Sequence, residues 1–384
     1  VIFDECFNES RRLMMKLQKT VVAAALAVGM MLVGGSALAA DGTIKVAVAS
    51  AITGPVAQYG DMHRAGIHMA VEQANAAGGV LGKKIELVEM DDACEPKQSP
   101  AVANKVVSEK IKFVLGHVCS GAFKPAAQIY DENDILMISS SATSDDLSTY
   151  GYKTFFRTIG KDSQQGPAAA DYIINKIKPK KLAIIHDKQT YGQGVATQVK
   201  NTVEKHGMKP VMFEGINKGD TDFSALITKM KQAGVDFVYY GGYHPELIIL
   251  LRQARDQNLG ARWMGPEGAA VSDVKGESAE GLLVTLPPDF SKDPSNAKIV
   301  EAFKAKKQDA SGVFVMTSYA AAQVLMEAIK GAQSEDPKKV AAYMHKNKFK
   351  TVLGDVEFTP EGDWATARFD IFVWHKDASK TLAP

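Results

Sequence analysis

The sequence predicts an α/β protein of two doubly wound, parallel-sheet (Rossmann-like) lobes joined by a hinge that the chain crosses more than once. Three observations lead there. Short β-rich runs alternate with amphipathic helical patterns along most of the chain, which is how βαβ units read. The 384 residues exceed what one core comfortably holds, so two domains is the default. Charged residues make up 23% and aromatics 8%, ordinary globular values that argue against disorder or a small disulfide scaffold.

Taken in order, residues 1–13 (VIFDECFNESRRL) read as upstream of an export signal. Met14 and Met15 are followed by a basic stretch with Lys16 and Lys19. An uncharged run then extends from Thr20 to Ala40, ending in Ala37-Leu38-Ala39 for a signal peptidase. The run is also long enough for a membrane anchor, but its alanines and glycines make it weakly apolar, so cleavage is expected. No cysteine stands at the expected mature start for lipid attachment. Residues 1–40 are therefore expected to be removed, leaving 41 basic and 41 acidic residues from the original 45 and 44. A neutral exported chain carries no electrostatic footprint for nucleic acid. Cys6 is lost with that segment. Cys94 and Cys119 remain, and in an oxidising compartment such a pair tends to bridge. The alternative is two free buried thiols; the eight histidines show no metal-ligand spacing.

The mature part opens on a strand, IKVAVAS at 44–50. A helix follows over about 60–77, with Met62, Ala65, Gly66, Met69, Ala70 and Ala74 on one stripe, and Gly78-Gly79 stops it. The pattern then repeats: strand 85–91, helix 97–110, strand 113–118, helix 122–132, strand 135–140. Past Arg157 come helix 164–177, strand 182–187, helix 193–206, strand 210–215 and helix 222–233. Strand 237–242, helix 245–257 and strands 262–265 and 282–286 complete the alternation. The stretches Arg157–Gly166 and Leu286–Phe290 are the expected crossings between sheets. Two or three more helices follow, then a final strand pair, VEFT at 356–359 and FDIFVW at 369–374.

A search for catalysis finds little. Gly192-Gln193-Gly194 resembles a truncated dinucleotide fingerprint without its third glycine. Ser120 lacks a nucleophile elbow, and no P-loop is present. What stands out is a set of hydroxyls at strand ends. Ser120 and Gly121 open a helix, where backbone N–H groups favour an anion, and Ser141, Ala142 and Thr143 repeat that placement. Glu267, in Gly265-Pro266-Glu267-Gly268, follows a strand of the other half. Neutral donors on one wall and a carboxylate on the other suit the zwitterion of an amino acid. The competing reading makes Ser120 and Thr143 helix caps and Glu267 a solvated turn residue. Tyr59, Tyr191 and Tyr243 each sit at a loop or helix start and could wall a pocket for an apolar side chain.

The segments GPVAQYGD (54–61), DDACEPKQ (91–98), GHVCSG (116–121), HDKQTYGQG (186–194), DFVYYGGYHPE (236–246), MGPEG (264–268) and GESAEGLLVT (276–285) closely resemble the periplasmic leucine/isoleucine/valine-binding proteins. The likeness runs through essentially the whole mature chain. It implies the type I periplasmic binding fold, with lobes of residues 41–161 plus about 288–366, and 162–287 plus about 367–384. It implies a non-enzymatic receptor, monomeric and without cofactor or metal, that hands aliphatic L-amino acids to an inner-membrane ABC permease; a sensor feeding a membrane receptor is the alternative. Carried over by position, Ser120 and Thr143 hold the ligand carboxylate. Glu267, Thr143 and the Ser141 carbonyl hold the ammonium, with Ala142 in the same set. Val118, Cys119, Tyr59, Tyr191, Tyr243 and Phe314 line the side-chain pocket, and Cys94–Cys119 matches the family's disulfide. SGAF at 120–123 departs from the family pattern, where further hydroxyl residues are common.

Overall fold

A computed structural model describes residues 42–384. The expectations for the upstream segment, the export signal and Cys6 lie outside the described residues. The first sheet contains β1 (Thr43–Ser50), β2 (Lys84–Asp91), β3 (Phe113–Gly116), β4 (Leu136–Ser139) and β5 (Phe155–Arg157). All are parallel, in the order β2-β1-β3-β4-β5. The second contains β6 (Leu182–His186), β7 (Met212–Gly215), β8 (Phe237–Gly241), β9 (Arg262–Gly265) and β10 (Leu282–Leu286), also parallel. A hairpin of β11 (Phe349–Thr351) and β12 (Gly354–Val356) stands apart. β13 (Asp370–Trp374) then joins β10 antiparallel, and β14 (Lys380–Leu382) closes that edge, in the order β14-β13-β10-β9-β8-β6-β7. Both sheets reverse their winding next to their first strand, between β1 and β3 and between β6 and β8. A crevice opens outside the carboxyl ends of the strands at such a point.

The helices are α1 (Ala57–Ala76), α2 (Ser99–Ser108), α3 (Ser120–Glu132), α4 (Asp146–Thr149), α5 (Asp162–Tyr172), α6 (Thr190–Lys205), α7 (Ser224–Gln232), α8 (His244–Asp256), α9 (Ala297–Ala305), α10 (Val315–Ala332) and α11 (Pro337–Met344). Every residue of β3, β4, β6 and β8 is buried, as strands covered on both faces require. α10 is buried almost all round and packs on α1. The two come close because Gly66 has no side chain: a Cβ there would stand 2.2 Å from the Val315 carbonyl.

The chain passes between the sheets at 158–161, 287–296 and 357–369. The crossings are pinned by charge. Arg157, fully buried, pairs through Nε with Asp363 Oδ1 at 2.7 Å and donates through Nη1 to the Ala142 and Ser144 carbonyls. Asp363 also takes Lys161 Nζ and Ser148 Oγ, each at 2.7 Å.

Several sequence expectations shift. VEFT and FDIFVW do not pair with one another. Val356 pairs back with Phe349 in a local hairpin, and β13 pairs with the distant β10, because each strand finds its apolar cover there rather than in the neighbouring run. β3 stops at Gly116, and α5 begins at Asp162 and continues as a π-turn over Ile173–Ile177. α6 begins at Thr190, which puts Gly192 and Gly194 inside a helix rather than in a phosphate loop. These glycines serve packing: a Cβ on Gly192 would stand 2.3 Å from Asp187 Oδ1 and 2.5 Å from the Gly241 carbonyl.

Candidate functional site

The carboxyl ends of both sheets converge on one small, tightly closed cavity. Each wall is set by local structure. After β3 the chain runs extended through Cys119, the N-cap of α3, so Val118, Cys119 and Ser120 face the cavity. Cys119 is fixed from behind by its disulfide to Cys94, with the Cα atoms 5.4 Å apart. After β4, Ser141 turns in and donates from Oγ to the Val118 carbonyl at 2.9 Å, tying the two strand ends together. Ser120 Oγ accepts from the Ser144 N–H at 3.3 Å. From the second sheet come Tyr191 in the first turn of α6, Tyr243 as the N-cap of α8, and Glu267 with Gly268 in the 3₁₀ turn after β9. Tyr59 from α1 and Phe314, the N-cap of α10, complete the lining.

Two of the expected residues stand elsewhere. Ala142 is not on the cavity; its side chain belongs to the core beside Phe123 and Phe155, and its carbonyl serves Arg157. Thr143 lies just behind the lining, where its hydroxyl donates to Glu267 Oε1 at 3.4 Å and its carbonyl accepts from the Asp162 N–H at 2.9 Å. Gly268, His244, Gln165 and Asp162 were not anticipated. Nothing in the spacing marks Gln165 or Asp162, since both read as the polar first turn of a helix.

The aromatic wall is interlocked. Tyr191 and Tyr243 ring centroids are 5.0 Å apart, and Tyr59 sits 5.7 Å from both Tyr243 and Phe314, edge-on to the latter. The Tyr59 hydroxyl donates to the Gly268 carbonyl at 2.5 Å and lies 2.8 Å from His244 Nδ1. With its proton on Gly268, the tyrosine oxygen accepts from the imidazole, which places the His244 proton on Nδ1. Burial lowers His244 to about 4, so the ring is neutral near pH 7. These contacts join α1 of the first sheet to loops of the second.

Glu267 is 1% exposed, so the solvated-turn alternative fails. Its Oε2 receives Gln165 Nε2, which is itself held by Thr285 Oγ1 at 2.8 Å and the Thr285 carbonyl at 3.1 Å. Burial pushes the carboxyl up to about 7, opposed by hydrogen bonds from Gln165 and neighbouring groups. The cavity thus has a hydroxyl wall, an apolar aromatic wall and one carboxyl group on its lining. Such a set can hold an ammonium, a carboxylate and an aliphatic side chain at once. It contains no nucleophile–base pair, and the described residues hold no cluster of three or more metal-ligating side chains.

The family model for periplasmic binding proteins matches residues 43–379. A leucine-, isoleucine-, valine-, threonine- and alanine-binding protein of Pseudomonas aeruginosa is 53% identical over 347 residues, covering 90% of this chain and 93% of that one. A Leu/Ile/Val-binding protein of Escherichia coli is 49% identical over 350 residues, covering 90% and 94%. Among solved structures, a leucine-binding protein of Thermotoga maritima superposes with a TM-score of 0.83 at 27% identity, covering 89% of this chain and 98% of that one.

Proposed function

From a chain that belongs to the periplasmic binding protein family, we propose a receptor that captures leucine, isoleucine and valine in the periplasm and delivers them to an ABC permease. The observation that carries this is the buried Glu267 facing Ser120 and Ser141 across a tyrosine-walled cavity. Glu267, with Thr143 and the Ser141 carbonyl, takes the ammonium; Ser120 and the N–H groups opening α3 take the carboxylate. Tyr59, Val118, Cys119, Tyr191, Tyr243 and Phe314 enclose the side chain. A charged side chain there would be buried unpaired, at a cost of several kcal/mol, so aspartate, lysine and arginine are rejected.

The receptor works by population shift between an open and a closed cleft. The lobes divide near residues 161, 288 and 366, which places Ser120, Ser141 and Thr143 on the first and Glu267 and Tyr243 on the second. Ligand settles on the first lobe, and closure brings Glu267 onto its ammonium. Closure also makes the Tyr59–Gly268 bond and, at the rim, the Ser272–Gln58 hydrogen bond and the Lys218–Glu95 ion pair. The permease then reads the closed form. The test is calorimetry on the mature chain, unfolded and refolded to strip carried ligand, with leucine, isoleucine, valine and aspartate. One-to-one binding of the aliphatic amino acids with aspartate silent is expected. Silence for all four from correctly refolded protein would overturn the assignment.

A further inference from the structure

A second acid stands beside Glu267. Asp162, the first residue of α5, is 1% exposed, and neither of its carboxyl oxygens receives a hydrogen bond. Its Oδ2 lies over Gly194 of α6, where a Cβ would stand only 2.9 Å away. Thr143 touches both acidic residues: its hydroxyl donates to Glu267 Oε1 at 3.4 Å, and its carbonyl accepts from the Asp162 N–H at 2.9 Å, which leaves the same hydroxyl as the nearest donor for the Asp162 carboxyl. A hydroxyl has one proton to give, so it serves one acid at a time.

The charged and titratable groups packed around this pair supply no unengaged cation. Arg157 at the end of β5 is held by Asp363 and by the Ala142 and Ser144 carbonyls. Asp145, ahead of α4, accepts from the Ser163 N–H and Gln198 Nε2. Tyr59 of α1, Tyr191 of α6, Tyr239 of β8 and Tyr243 before α8 face the acids, and burial pushes each phenol well above its ordinary value. Burial, and then the neighbouring Glu267, likewise push Asp162 well above its ordinary value. Two carboxyls this deeply buried with no cation between them do not both ionise.

One arrangement satisfies the atoms: a proton on Asp162 donates to Thr143 Oγ1, whose own proton goes to Glu267. We propose that Asp162 and Glu267, both of the second lobe, hold one acidic proton between them in the open cleft, that closure places the Thr143 hydroxyl between them, and that the ammonium of an incoming amino acid displaces the proton to solvent. This rests on the receptor reading above. In the step, one carboxyl O–H bond breaks, its electron pair stays on oxygen and the proton passes to a buffer base. The ammonium subsite keeps its net charge, one carboxylate before and two carboxylates with one ammonium after, while the ligand's own carboxylate adds one negative charge on the opposite wall, balancing the proton given to the buffer. Asp162 is thereby a further functional residue of the ammonium subsite.

The test is leucine titration of the full chain at pH 7 in phosphate, imidazole and Tris, whose ionisation enthalpies differ. The apparent binding enthalpy should vary with buffer, with a slope of about half to one proton released per leucine. Asp162→Asn and Asp162→Ser should still bind leucine with a slope reduced at least about threefold. A wild-type slope of zero, or an unaltered slope in a folded variant, would overturn the proposal. If neither variant folds, the wild-type slope decides, and a slope of zero overturns the proposal. Leucine binding with zero slope refutes this inference alone, whereas no leucine binding at all refutes the receptor reading and this inference with it.

Discussion

Replacing Glu267 by glutamine should weaken leucine binding about 30-fold while leaving the fold intact. The substitution keeps the shape of a side chain that is 1% exposed and leaves an amide oxygen for the Gln165 or Thr143 donor. What it removes is the charge facing the ligand ammonium. A hydrogen bond to a charged partner contributes about 1.5–3 kcal/mol, and a loss of about 2 kcal/mol is close to 30-fold at 1.4 kcal/mol per decade. Alanine, which also removes the acceptor, should lose at least as much. Stability without leucine should respond in the opposite sense. Burial raises the Glu267 carboxyl from its ordinary 4.5 to about 7. The unfolded chain therefore gives up this proton first, and stability falls as pH rises from 4.5 through 7. Glutamine does not titrate, so Glu267→Gln should melt no lower than wild type at pH 8 without leucine. Calorimetry of the refolded proteins with paired thermal melts decides both points. A dissociation constant within threefold of wild type, or a melt below wild type at pH 8, would refute the reasoning.

Tyr59→Phe keeps the ring and removes the bond to the Gly268 carbonyl; leucine affinity should drop about fivefold, or about 1 kcal/mol, and full affinity would mean that Tyr59 does not latch the closed form. Reducing the Cys94–Cys119 bridge opens a loop with a sequence separation of 25, which should lower stability by about 3 kcal/mol in the chain-entropy account; identical melts with and without reductant would contradict that. Asp363 is the acid-sensitive pin of the crossings. Burial alone would raise its carboxyl, but Arg157 beside it and the Lys161 and Ser148 donors hold it below the ordinary range. Its contribution is thus complete above the ordinary carboxylate range near 3.9 and disappears as pH falls through its depressed value. Asp363→Ala should cost about 3–5 kcal/mol at neutral pH by leaving Arg157 buried and unpaired, and should flatten the acid side of the melting curve. A melt unchanged at pH 7 would show that the pair is not what holds the crossings.

The alternation of β6, α6, β8 and α8 was plain in the sequence because each strand is a short apolar run and each helix keeps an apolar face. Elements below that length were not. β5 and β14 have three residues each, too few to show a period, and β13 gave no sign that its partner is β10, about 90 residues earlier. The site divides the same way. Ser120, Tyr191, Tyr243 and Glu267 were legible because they follow strand ends, where such folds put their ligands. Gln165 and Asp162 were not, because what matters about them is a tertiary contact: a helix-start glutamine and aspartate look alike whether they meet solvent or a buried carboxyl. Ala142 was drawn in by its position between two hydroxyl residues, yet the turn that points Ser141 inward points Ala142 to the core.

The three crossings have a consequence for synthesis. The strands of the first sheet are complete by Arg157, but α10, which covers them together with α1, ends only at Ala332, and the Asp363 that neutralises Arg157 comes later still. A chain emerging from its amino terminus therefore holds Leu115, Leu136, Ile138 and Phe156 without much of their final cover while most of the second sheet is being made. Neither lobe can mature before nearly the whole polypeptide has been delivered. Until then these side chains present apolar surface of the kind that makes an incomplete chain prone to aggregate.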